Sequence, residues 1–166
     1  MSALSEFARK SAYQSALKSG VSTMDFKKDE AGVPQPLNGI YWSVSHKPDL
    51  VGGVVSKEPV GIDVEKVKKV SNALFNKILD TDESNLFSNQ EQSLVFFRTF
   101  TAKEAVLKKT IVGIKGLSKT RVKKVVDNTH LVIGFEYKNF LVEHFYLDEH
   151  IASVTKDLFD IHWTIG

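Results

Sequence analysis

Val60-Gly61-Ile62-Asp63-Val64-Glu65 alternates apolar and acidic side chains, the period-two pattern of a strand with two unlike faces. Asp63 and Glu65 share one face, while Ile62 and Val64 point the other way into apolar packing. Asp is depleted in strand interiors, and two like charges about 7 Å apart on one face repel each other unless a cation lies between them. The alternative is a strand end whose acidic face meets solvent.

A second run bears on that choice. Glu91 to Lys109 contains no Gly or Pro, and Leu94, Phe97, Val106 and Leu107 fit helical spacing. The segment is therefore expected to be one long helix. Within Phe100-Thr101-Ala102-Lys103-Glu104-Ala105-Val106-Leu107-Lys108, Glu104 and Lys108 lie one turn apart on the same face, whereas Lys103 points elsewhere. A Glu with a Lys four residues later is also a common surface pair, contributing about 0.2–0.5 kcal/mol. Taken with the strand pair, however, Glu104 makes a third carboxylate. Three carboxylates from a strand and a helix form an oxygen site for a hard divalent cation that keeps positions open for phosphate oxygens, and magnesium is the ion expected there.

The remaining pattern fills in the architecture. Leu4 to Lys18 reads as a helix closed by Gly20, and Gly32 to Asn38 as a Pro-containing loop. Strands are expected at 40–45, 50–56 and 60–65, with a short helix over 71–79 before the long one. The tail turns to strands at 121–126, 131–137, 140–147, 151–155 and 161–165, with turns at Asp127-Asn128 and Lys138-Asn139. The order helix, strands, helix, strands implies an α+β protein with two lobes meeting near Lys57-Glu58-Pro59. No internal repeat is evident. Gly52-Gly53 and Gly113-x-x-Gly116 lack the spacing of nucleotide-binding loops and are read as turn or strand-packing glycines.

Composition narrows the class. A chain of 166 residues with 42% hydrophobic content can bury one core, or two small lobes sharing one. It has no cysteine, which excludes disulfides, a thiolate nucleophile and thiolate metal ligation. No apolar signal core opens the sequence and no stretch approaches the roughly 20 apolar residues that span a bilayer, so a cytoplasmic protein without membrane association is expected. The net charge of +2 does not argue for nucleic acid. Lys103, Lys108, Lys109, Lys115, Lys119, Arg121, Lys123 and Lys124 concentrate in one stretch with little aromatic interleaving for base stacking. Such a stretch is either a solvated face or a local positive field for a phosphate-rich ligand and an acidic partner.

Taken together, Val60–Glu65 and Phe100–Lys108 resemble the signature of the 4′-phosphopantetheinyl transferases. Trp42-Ser43-Val44-Ser45-His46 resembles the Ser-His segment of the larger, surfactin-synthetase-activating type, a segment that trimeric holo-acyl-carrier-protein synthases lack. Ile78–Glu83 and Lys115-Gly116-Leu117-Ser118 are further similarities, and the resemblance runs from about Arg9 to the C-terminus. It implies a pseudo-dimer of two α/β lobes with coenzyme A between them: an abbreviated first lobe at 1–59 carrying coenzyme A contacts, and a second at 60–166 carrying the magnesium and catalytic motifs. The implied activity is transfer of 4′-phosphopantetheine from coenzyme A to a serine of an acyl or peptidyl carrier protein, with release of 3′,5′-ADP by a monomeric enzyme. The alternative is a non-catalytic module of this fold that binds coenzyme A or a carrier protein.

The same resemblance assigns residues. Asp63, Glu65 and Glu104 look like the magnesium ligands, Lys108 like the lysine at the reacting pyrophosphate, and Glu104 like the acceptor of the serine proton. Ser45 and His46 resemble contacts to coenzyme A phosphates. Gly32 and Pro34 match a Gly-Lys-Pro turn whose backbone brackets the adenine, with Val33 in place of the lysine. The family's preceding basic segment has no counterpart in this sequence. Arg9 and Lys10 are then either substitutes for its charge or ordinary polar-face residues of the first helix.

Overall fold

The computed structural model describes residues 3–22 and 25–166. It is an α+β structure in which one helix packs on each of two sheets. Helix α1 (Ala3–Lys18) covers a two-stranded hairpin of β1 (Tyr41–Lys47) and β2 (Leu50–Ser56). Strand β3 (Ile62–Lys66) then enters a second sheet. After α2 (Asn72–Ile78) and α3 (Thr81–Asn85) comes the long helix α4 (Gln92–Lys109), which lies across that sheet. A 3-10 turn at Ile114–Lys119 leads to β4 (Thr120–Val125), β5 (His130–Phe135), β6 (Lys138–Leu147) and β7 (His150–Thr155). The five-stranded sheet has the order β3-β7-β6-β5-β4, each neighbouring pair antiparallel.

Local chemistry sets these boundaries. Side chains of Ser71, Asp80 and Glu91 cap α2, α3 and α4, each accepting from a backbone N–H of the first turn. At α3 the cap is reciprocal, since Glu83 reaches back to the Asp80 N–H. Gly20 takes the left-handed conformation just after α1, as expected for a helix stop. The main core lies between α4 and the larger sheet, where Val106, Leu107, Leu131, Ile133, Val142 and Ile151 are fully buried. A smaller core joins Ala12 and Ala16 of α1 to Phe26, Trp42 and Val55.

Two glycines set the helix-to-sheet distance. A Cβ on Gly53 would fall 2.3 Å from the Ala12 nitrogen, and one on Gly61 would fall 1.9 Å from the Ala105 carbonyl oxygen. Each helix thus rests directly on backbone. The reading of Gly52-Gly53 as strand-packing glycines agrees with this.

The sheets meet at β3 without a continuous ladder. The hydroxyls of Ser43 and Ser45 on β1 accept from the backbone N–H groups of Ile62 and Val64, at 3.2 and 3.1 Å. Ile62 and Val64 face the hairpin at Gly52, and Val60, Ile62 and Val154 form a third apolar cluster with Tyr41 and Val54 packed against it.

Two expectations are corrected. Residues 161–165 are not a strand: Ile161 and Trp163 pack against the third cluster, the Trp163 ring stacks on Phe145, and its indole N–H donates to Glu143 at 2.7 Å. Alternating apolar residues specify a face to cover, and here Ile161 and Trp163 are partly covered by side-chain packing without backbone pairing, while Ile165 is exposed. The β5–β6 turn is Glu136-Tyr137, with Glu136 at φ 54°, and Lys138 and Asn139 already pair with Phe135 and Gly134. Helix α3 was not anticipated.

Candidate functional site at the junction of the sheets

The alternation in β3 directs Asp63 and Glu65 away from the hairpin-facing side of Ile62 and Val64, toward α4. Gly61 lies on that same side, and its missing side chain lets Ala105 approach, so the turn of α4 bearing Glu104 and Lys108 is brought over β3. Asp63 is buried. Its Oδ1 accepts from Ser45 Oγ at 3.0 Å and from Lys108 Nζ at 2.9 Å. Lys108 also donates to the Ile62 carbonyl at 2.9 Å and reaches the Val44 carbonyl at 3.5 Å, so one ammonium spans both sheets.

Glu65 pairs with Lys47 at 2.7 Å. Asp63 Oδ2 and Glu104 Oε1 are buried with no hydrogen-bond partner. Burial raises the Glu104 carboxyl above its usual range, the charge of Asp63 raises it further, and Lys108 opposes the rise. Burial likewise raises Glu65, opposed by its bond to Lys47 and reinforced by Asp63. The three carboxylates therefore act electrostatically on one another. Among the described residues no three acidic or histidine side chains are grouped closely enough to hold a metal ion as they stand. The donor set still suits a hard cation: it is all oxygen, two of its buried atoms lack partners, and its members repel one another.

The other predicted residues are placed differently. Ser45 is buried in the junction with its hydroxyl engaged on both sides, by Asp63 and by the Val64 N–H, while the next residue, His46, is exposed. Gly32 and Pro34 belong to a turn closed by Asp29, which accepts from the Val33 N–H at 2.8 Å, and Gly32 has φ 81°. Lys28 sits beside this turn. Burial, then the charges of Arg9 and Lys108, lower its ammonium. Lys10 pairs with Glu6 on the exposed face of α1, whereas Arg9 Nε is buried without a partner. Lys103 is removed from the site, as its helical position requires, in a buried pair with Glu83 at 2.7 Å.

Sequence reasoning missed Ser43, Lys47 and Lys28. Ser43-x-Ser45-x-Lys47 keeps the strand period, so a reading of β1 like that of β3 would have found the first two. Lys28 carries no such signal. An open cavity of about 430 Å³ beside Glu65 is lined by Lys47, Pro48, Asp49, Lys66 and Lys68. Another of about 340 Å³, lined by Val21, Val54, Val60 and Phe159 among others, includes none of Asp63, Glu65 and Glu104.

Residues 59–162 match the sequence profile of the 4′-phosphopantetheinyl transferase superfamily. The chain belongs to that superfamily. Asp63, Glu65, Glu104 and Lys108 lie inside the matched transferase span, while Ser45, His46, Gly32 and Pro34 precede it. A 4′-phosphopantetheinyl transferase of Bacillus pumilus is 34% identical over 99 residues, covering 56% of this chain and 42% of that protein. A second from Bacillus subtilis is 29% identical over 94 residues, 54% of this chain and 42% of its own length. Enterobactin synthase component D of Salmonella typhi is 30% identical over 112 residues, 61% and 48% of the two chains. The chain spans less than half the length of the curated relatives it matches. None of the described helices is long and apolar enough to cross a membrane.

Proposed function

We propose that this chain transfers 4′-phosphopantetheine from coenzyme A to a serine of an acyl or peptidyl carrier protein, releasing 3′,5′-ADP. The observation that carries the reading is the pair of buried, unpartnered carboxylate oxygens on Asp63 and Glu104 beside Lys108, in a chain of this superfamily. Asp63, Glu65 and Glu104 would hold magnesium, which when bound supplies charge neutralisation to pyrophosphate oxygens. The carrier serine Oγ forms a bond to the β-phosphorus as the bond to the departing 3′,5′-ADP breaks. Lys108 offsets the charge that gathers there. Glu104 accepts the serine proton, directly or through a water.

Residues 1–59 and 60–166 serve in this reading as two lobes of a pseudo-dimer, the first with the coenzyme A contacts. The support is architectural, since each half lays one helix on sheet backbone at a single glycine, Gly53 or Gly61. Ser45 and His46 contact cofactor phosphates, and the backbone of Gly32 and Pro34 brackets the adenine. To donate to a phosphate, the Ser45 hydroxyl has to turn from Asp63.

Incubation with magnesium, coenzyme A and a panel of apo carrier proteins, followed by intact mass, tests the proposal. One phosphopantetheine added to a carrier, with equimolar 3′,5′-ADP, is the expected result. Coenzyme A binding without a mass gain on any carrier would instead identify a binding module.

A further inference from the structure

Beneath α4 a row of polar side chains crosses the larger sheet. In the strand register Asp63 of β3 lies opposite Ser153 of β7, and Ser153 lies opposite His144 of β6. Directly paired residues on antiparallel strands share a face, so all three face α4. Ser153 Oγ lies 2.6 Å from Thr101 Oγ1 of α4 and 2.7 Å from His144 Nδ1. Thr101 Oγ1 also lies 2.7 Å from the Phe97 carbonyl. Ser153 and Thr101 are wholly buried and His144 nearly so.

The direction of this chain follows from its end. A carbonyl only accepts, so Thr101 donates to Phe97. Each hydroxyl has one proton to give, so Ser153 donates to Thr101 and must accept from His144. The imidazole therefore carries a proton on Nδ1, and Nε2 is buried without a partner, where an acceptor in the neutral ring costs less than a stranded charge. Burial lowers the His144 pKa to about 3, consistent with the neutral ring.

Thr101, Glu104 and Lys108 recur on one face of α4. That face touches the sheet at Ser153 through Thr101 and at Asp63 and the Ile62 carbonyl through Lys108. Glu104 falls between these two contacts, and its Oε1 makes no hydrogen bond of its own. Its location relative to Asp63 is therefore set by how α4 is pinned.

We propose that Ser153, held in direction by His144 and bonded to Thr101, is a positioning residue that fixes Glu104 against Asp63 and thereby sets affinity for the divalent cation. This rests on the reading of Asp63, Glu65 and Glu104 as the ligand set. Removing a partner bonded directly to a metal ligand costs 10–100-fold in metal affinity; Ser153 acts one link further out, through Thr101 on the helix that carries Glu104, so the low end of that range is expected.

The test is magnesium titration of the full chain by calorimetry, alongside transfer kinetics. Ser153→Ala and Thr101→Val are expected to raise the magnesium dissociation constant about tenfold, with the KM for coenzyme A changed less than about twofold. Thr101→Ser, which keeps the hydroxyl, should bind as the unaltered protein does. Folded variants that bind magnesium normally would overturn the proposal and assign the chain to stability alone. Imidazole nitrogen shifts in the unaltered protein give an independent reading that needs no variant: the Nδ1–H tautomer is expected, and the Nε2–H tautomer, whose Nδ1 cannot donate to Ser153, would break the chain of donors. Normal transfer by the unaltered protein with unaffected variants sinks only this inference. Magnesium binding without transfer to any carrier sinks only the proposed function.

Discussion

Glu104 carries a consequence for stability that opposes its role in activity. Burial and the charge of Asp63 hold its carboxyl above the ordinary value of 4.5, so the folded chain retains a proton there that the unfolded chain has released. With more protons bound in the folded state, stability in chelator should fall as pH rises from 4.5 through the raised value, then level off. Glu104→Gln is expected to make that fall shallower, leaving the share that the raised Glu65 contributes, and to melt no lower than the unaltered protein without metal, while abolishing transfer. Thermal melts across pH in EDTA, together with a carrier assay, check both halves. A second contrast concerns adjacent lysines. Lys108 holds Asp63 and two backbone carbonyls at the junction, whereas Lys109 pairs with Asp157 and lies over Phe140. Lys108→Ala should lower the transfer rate roughly 10²–10³-fold, the range for loss of one stabilising donor, and Lys109→Ala far less. Equal losses in single-turnover rates would indicate a diffuse basic patch.

At the scale of elements, the approach of α4 to β3 depends on a missing side chain. Because a Cβ at Gly61 would lie 1.9 Å from the Ala105 carbonyl, Gly61→Ala must push helix and strand apart. The added methyl meets backbone, which cannot rotate aside, and overpacking of this kind costs about 1–3 kcal/mol. Gly61→Ala is expected to lower the melting temperature and to weaken magnesium binding together, as read by calorimetry. The same elements show what sequence can convey. Asp63 and Glu65 were legible because a period of two assigns faces without knowledge of neighbours, and α4 because a long run free of Gly and Pro carries apolar residues at helical spacing. Residues 161–165 misled because their pattern resembles a strand, yet Trp163 bonds to Glu143 and stacks on Phe145. Ser153 gave no signal, since a lone serine in Ile151-Ala152-Ser153-Val154-Thr155 reads as an ordinary strand residue until its cross-strand partners are known. Pairing between distant segments is the information that a local period lacks.

Over the whole molecule, the two halves carry separate cores and meet where serine hydroxyls take the place of a ladder. Residues 60–166 contain the entire main core between α4 and the larger sheet, so that segment has the means to fold by itself. What it would lack is a cover for β3. The outward N–H groups of Ile62 and Val64, now satisfied by Ser43 and Ser45, would become an open sheet edge flanked by newly bared apolar side chains, which is the template for edge-to-edge self-association. Expressed alone, residues 60–166 should run as dimers or larger species in size-exclusion chromatography, and Val64→Pro, which removes one of those edge donors, should shift them toward monomer. A monomeric fragment without the proline would count against this. The hairpin of β1 and β2 is thus also a guard against aggregation: its serines occupy the β3 edge that a second copy of the chain would otherwise extend.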